Sequence, residues 1–177
     1  VPMPTVAAKP RVLPDTVALL WDASASGRKR DHAGELALLD RYFRAMGNGR
    51  VLLRLLRDVG EGSKAYAVRD GDWSALRKVL ETVDYDGASD LSDWAAEPEI
   101  GEYLLVSDGL HNYGEGEFPK LGERQALYAL NSAGAQSDSA RLAALAEARG
   151  GRLVQWQGRG GLDAAAELAD AWDATAK

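Results

Sequence analysis

Apolar residues fall along this chain in two kinds of segment that take turns. Short, nearly unbroken runs, Thr16-Val17-Ala18-Leu19-Leu20-Trp21, Val51-Leu52-Leu53-Arg54-Leu55-Leu56 and Tyr103-Leu104-Leu105-Val106, read as strands buried on both faces. Residues 125–130 and 152–156 read the same way, and Gly60-Glu61-Gly62 turns the second run back into an antiparallel edge strand over 65–68. Between these runs the apolar positions recur at helical spacing. Leu36, Leu39, Phe43 and Met46 define a first helix, with Asp31 as its N-cap and Gly47 as its stop. Trp73, Leu76, Leu80 and Val83 define a second, 139–149 a third closed by Gly150-Gly151, and 162–172 a last one. Strand and helix alternate, which predicts an α/β fold: a mainly parallel six-stranded sheet with one antiparallel edge strand, and about six helices on both faces.

The chemistry begins where the first strand stops. Asp22-Ala23-Ser24-Ala25-Ser26 releases one carboxylate and two hydroxyls, at alternate positions, from the end of a buried strand. Such an oxygen cluster suits a hard divalent cation: Mg²⁺ demands near-octahedral oxygen ligation and typically takes one or two carboxylates with neutral oxygens. The hydroxyls leave the ion electrophilic toward an outside anion. The same run also fits a polar strand-to-helix turn, with the serines capping backbone amides ahead of the helix.

A later run supplies a partner. Tyr103-Leu104-Leu105-Val106 ends in Ser107-Asp108-Gly109, so Asp108 leaves its strand at the same kind of place as Asp22. In open parallel sheets ligands bind outside the carboxyl ends of strands, where the winding reverses, and two carboxylates at two such ends can converge on one ion. Between them, Asp86-Gly87-Ala88-Ser89-Asp90 is a glycine-containing turn ahead of the amphipathic stretch 91–96, and Ser89 offers a third hydroxyl.

In this order the residues resemble the von Willebrand factor A (vWA) domain and its metal-ion-dependent adhesion site (MIDAS), whose signature is D-x-S-x-S, a Thr in a separate loop and an Asp after a later strand. The resemblance runs from about Thr16 to Trp172. It implies a Rossmann-like three-layer fold with Asp22, Ser24, Ser26, Ser89 and Asp108 as metal ligands, one or both aspartates acting through water. Ser replaces Thr at position 89, which keeps the hydroxyl and loses the methyl that limits its rotamers. A finer resemblance, carried by Trp21 to Ser26, Arg30-Asp31-His32, Glu35 and Tyr85 to Ser89, is to A domains that follow a VIT domain in bacterial proteins similar to inter-alpha-trypsin inhibitor heavy chains. It implies one module of a longer protein, with 15–177 as the vWA domain and 1–14 as a linker from a preceding domain. The compartment, otherwise open, would then be extracytoplasmic or periplasmic.

Composition narrows the reading further. A chain of 177 residues, 46% of them hydrophobic, is long enough for one domain with a sizeable core. The net charge of -6 argues against a nucleic-acid surface, which needs clustered Lys and Arg. Arg28-Lys29-Arg30, the one basic run, reads as a solvated loop or as a means of steering an acidic partner to the site. Without cysteine, disulfides, thiol catalysis and Cys-ligated zinc are excluded. No apolar run approaches the ~18 residues of a membrane span, and Pro2, Pro4, Pro10 and Pro14 mark an extended linker. His32 and His111 stand at unrelated positions and are expected to be structural or exposed rather than a zinc pair. Trp21, Trp73 and Trp172 sit at periodic apolar positions and are expected in the core.

The enzyme readings are weaker than the binding one. Phosphate-transferring aspartate enzymes of this architecture begin D-x-D, the second carboxylate serving as acid and base; here that position is Ser24, and a hydroxyl cannot take the role. A hydrolase built from Ser26 or Ser107 with Asp108 and His111 lacks the flanking glycines of a nucleophile elbow. The expectation is therefore a metal-dependent protein-binding module and not an enzyme. It takes Mg²⁺, or Mn²⁺ or Ca²⁺, and captures an Asp or Glu carboxylate of a protein partner. Neither nucleic acid nor membrane insertion by this segment is expected, and other domains of the same longer chain are. The alternatives are a degenerate, metal-free vWA scaffold or subunit interface and, behind it, a hydrolase.

Overall fold

Strand β1 (Thr16–Asp22) is the axis of the sheet, because it is paired in parallel on both sides. The computed structural model describes residues 15–30, 32–56, 62–87, 94–107, 119–122, 125–131, 139–149 and 153–155. After β1 come a 3-10 turn (Ala25–Lys29), α1 (His32–Met46), β2 (Gly49–Leu56), β3 (Lys64–Val68) and α2 (Ser74–Glu81). They are followed by β4 (Glu102–Val106), β5 (Ala126–Asn131), α3 (Ser139–Glu147) and β6 (Leu153–Gln155). The strand order is β3-β2-β1-β4-β5-β6, every pairing parallel except β2 with β3. The chain thus winds outward from β1 through β2 and β3, then crosses back to β4 on the other side. The winding reverses between β1 and β4, the position at which open parallel sheets place their ligands.

Side chains of a strand point alternately to opposite faces, and β1 is buried on both. Val17, Leu19 and Trp21 pack with Leu53, Leu104, Leu39 and Phe43 of α1 and Leu76 of α2. Ala18 and Leu20 face the other way, into a second cluster with Trp94, Tyr103, Leu127 and Leu142 of α3. The near-continuous apolar runs follow from this double burial.

Local chemistry sets the ends. Gly47 closes α1 with a left-handed φ of 74° and an N–H donated to Phe43 O at 3.0 Å, a conformation that costs glycine nothing. α2 is shorter than its apolar period suggests. It ends at Glu81, where the Thr82 hydroxyl donates back to Lys78 O and Val79 O, so Val83 packs against the core from beyond the helix. β5 begins one residue later than the apolar run, and α3 ends at Glu147 in a turn through Arg149. Trp94 is buried against Tyr103, ring centroids 4.9 Å apart. The linker 1–14, the Asp31 cap, His111, Trp172 and the helix expected over 162–172 lie outside the described residues. Among the described residues no helix is long and apolar enough to cross a membrane.

The double burial of β1 makes it the strand least tolerant of truncation. Leu19→Ala, at a fully buried position, is expected to cost about 2–5 kcal/mol of stability. Leu52→Ala, only partly buried on the neighbouring strand, should cost less than half as much, and urea denaturation of the two variants measures the difference.

Candidate metal centre

The D-x-S-x-S run begins at the end of β1, where the winding reverses toward β4. Asp22, the last residue of β1, is fully buried. Its Oδ1 accepts the Ser24 N–H at 3.0 Å and its Oδ2 accepts the hydroxyl of Ser107, the residue after β4, at 2.7 Å. Carboxylate-accepted bonds are the strong kind, and two of them fix the plane of this group. The reversal of winding is therefore spanned by a direct side-chain contact.

Ser24 stands at the N-cap of the 3-10 turn with an extended backbone and no side-chain capping bond. The capping work falls to Asp22 instead. The Ser24 hydroxyl lies 3.2 Å from the hydroxyl of Ser26, which is half-buried. Hydroxyls free of backbone capping favour the ligand reading over the polar-turn reading. The loop expected to carry the third hydroxyl is tied alongside by two backbone bonds: Asp86 N–H to Ala23 O, and Ala25 N–H to Gly87 O, each at 3.0 Å. Ser89 lies two positions beyond Gly87 and Asp108 one beyond Ser107; both are outside the described residues.

A second layer lies behind the oxygens. The basic run divides: Arg28 is exposed, whereas Arg30 is buried, so Arg30 is neither a solvated loop residue nor a steering charge. Its Nη1 donates to Asp22 O at 2.8 Å and to Val106 O at 3.4 Å. Buried charge must be compensated, and Glu35 Oε2 lies 3.0 Å from its Nε. The other Glu35 oxygen accepts from His32 Nδ1 at 2.8 Å, which gives His32 a structural role. The His32 ring stacks on Tyr85 at 4.6 Å, and the Tyr85 oxygen accepts the Trp21 N–H at 2.9 Å. A Cβ at Gly27 would stand 2.7 Å from Tyr85 Cδ1, so the ring's close approach requires glycine there. Neither Ser107 as a partner of Asp22 nor the Arg30–Glu35 pair carried any signal in the motif.

No protein-family model and no curated protein matches the chain. Solved structures do. A von Willebrand factor type A protein from Catenulispora acidiphila is similar over 92% of this chain and 43% of its own, with a TM-score of 0.61 at 11% identity. An aerotolerance-related membrane protein from Bacteroides fragilis NCTC 9343 is similar over 90% of this chain and 98% of its own, with a TM-score of 0.62 at 11% identity. Proximal thread matrix protein 1 from the mussel byssus is similar over 91% and 45%, with a TM-score of 0.55 at 12% identity. The chain spans less than half the length of the first and third of these.

The fold is that of a von Willebrand factor A domain.

Within the vWA fold the described oxygens suit a MIDAS-type ion. Adjacent ligands of an octahedron with metal–oxygen distances of about 2.0–2.1 Å stand about 2.9–3.0 Å apart. The 3.2 Å between the Ser24 and Ser26 hydroxyls is close to that edge. The described donors at this strand end are the Asp22 carboxylate and the Ser24 and Ser26 hydroxyls. Such a set favours a hard cation over zinc.

Burial holds the Tyr85 phenol above its ordinary value, against the opposing pull of the Arg30 charge and the Trp21 N–H. The folded chain therefore keeps this proton after the unfolded chain has lost it, and stability falls as pH rises above about 10. Burial raises Tyr103 in the same sense. Urea midpoints measured from about pH 8 to about pH 11 should decline at the alkaline end, and less steeply in Tyr85→Phe. At neutral pH that variant should lose about 1–3 kcal/mol, because the Trp21 N–H loses its acceptor.

Proposed function

We propose that this vWA domain is a metal-dependent protein-binding module. Asp22, Ser24, Ser26, Ser89 and Asp108 hold Mg²⁺, or Mn²⁺ in its place, with Ca²⁺ admissible where the loops relax. The observation that carries the reading is the Ser24–Ser26 hydroxyl pair at octahedral-edge spacing, uncapped, beside a buried carboxylate at the winding reversal. When bound, the ion offers an electrophilic position to a carboxylate from a partner protein's Asp or Glu. This chain's residues do the rest. The two aspartates formally neutralise a divalent charge, and the hydroxyls add none, so one further anion is accepted without excess negative charge.

The fold supports a protein partner, since vWA domains generally mediate protein–protein interactions. The absence of catalytic function is part of the same reading. The Ser107 hydroxyl is committed to Asp22 and the His32 Nδ1 to Glu35, which leaves neither poised as a nucleophile–base pair. On this reading the chain is one module of a longer protein, as the sequence resemblance to VIT-associated A domains suggests, and other domains of that protein are among its partners.

Thermal melts with and without Mg²⁺ test the metal. At about a hundred times its dissociation constant Mg²⁺ should add about 2.7 kcal/mol, and Asp22→Ala should remove that gain. The Ala variant should also be less stable without metal, because the Ser24 N–H and the Ser107 hydroxyl lose their acceptor. Calorimetric titration with Mn²⁺ should rank Ser89→Thr at or above wild type and Ser89→Ala below it, since the methyl restricts the rotamer that aims the hydroxyl. Equal affinities for wild type and Ser89→Ala, with no Mg²⁺-dependent gain in stability, would favour the metal-free scaffold.

A further inference from the structure

The strand ends at the candidate site belong to β1 and β4, and the backbone pairing of these strands runs as far as Trp21 with Val106. Beyond that point side chains tie the two ends, one tie being the Ser107 hydroxyl on the Asp22 carboxylate. The Arg30 guanidinium adds a second: one nitrogen, Nη1, donates to Asp22 O on β1 and to Val106 O on β4. We infer that Arg30 is a positioning residue for the candidate metal centre, a clamp that holds the two strand ends at the separation the ligands need. The inference rests on the metal-binding reading.

Three features make the clamp rigid. The side chain is buried, so water does not compete for the two carbonyls. Glu35, in the first turn of α1 and itself held by His32, places a carboxylate oxygen 3.0 Å from Nε and so compensates the buried charge where it stands. The guanidinium carbon lies 5.3 Å from the Trp21 ring centroid and 5.6 Å from that of Tyr85, within cation–π range of both. Both carbonyl bonds leave one nitrogen, whose two N–H groups the planar guanidinium holds in fixed directions. A lysine ammonium is a point charge on a flexible stem and cannot reproduce it in full. Outer partners that orient metal ligands contribute about 10–100-fold to metal affinity in other sites, which sets the size of the expected effect.

Removing Arg30 alone would strand the buried Glu35 charge, so the decisive variant is the double substitution Arg30→Met with Glu35→Gln, which leaves the pocket neutral. Two readouts are taken. Mn²⁺ affinity is measured by calorimetry, and in metal-free protein the exchange of the Ala23 and Ser107 amides, bonded to Leu56 O and Leu130 O, is followed against Leu19 and Leu104 within the same strands. The double variant should bind Mn²⁺ about tenfold or more weakly, and the Ala23 and Ser107 amides should exchange faster while Leu19 and Leu104 do not change. Arg30→Lys should fall between wild type and the double variant on both readouts. If the double variant binds Mn²⁺ as wild type does, the clamp is refuted while the metal site stands. If wild type itself takes up no Mn²⁺, the metal site is refuted and the clamp falls with it.

Discussion

A carboxylate with no exposed surface, placed at the end of the central strand, must be given hydrogen bonds or it destabilises everything around it. Asp22 is that group, and the architecture around it answers its demand. Ser107 reaches it from β4, Ser24 from the turn that follows, and the carbonyl of the same residue is taken by Arg30. Ser24 and Arg30 flank the same 3-10 turn, and Ser107 follows a distant strand. Satisfying Asp22 therefore brings together the end of β1, the turn that follows it and the end of β4.

The layer behind the oxygens solves a second problem, a buried cation. Arg30 sits among Trp21, Tyr85, Glu35 and two carbonyls, so its charge is balanced by one carboxylate and by oriented dipoles. The cluster is tightly shared. Glu35 serves both Arg30 and His32, and Tyr85 serves Trp21 while its ring packs on His32 and Gly27. Rigid packing of this kind suits a site whose ligands must be held before an ion arrives, because any ordering left to the moment of binding subtracts from affinity.

Topology explains why the site is at this end of the sheet. The helices α1 and α2 pack on one face and α3 on the other, so both faces of β1 are lined by apolar side chains and its polar groups gather at its end. The carboxyl ends of β1 and β4 are where the winding reverses. Polar residues are tolerated at the strand ends for that reason.

The sequence by itself determined the strands, because a strand buried on both faces has to be an almost continuous apolar run, as 17–21 and 103–106 are. It also placed Asp22 at a strand end, the stop of α1 at Gly47 and the antiparallel edge at 65–68, one residue short of the observed strand, since each depends on residues adjacent in the chain. What only the tertiary structure decided are the contacts between distant segments. Ser107 meets Asp22 across 85 positions, Trp21 meets Tyr85 across 64, and the short run Arg28-Lys29-Arg30 splits into one exposed and one buried arginine. Periodicity and capping rules describe a residue's own neighbourhood along the chain. Which carbonyl a guanidinium finds, or which carboxylate a hydroxyl finds, is set by the crossover that lays β4 beside β1, and no local pattern encodes that.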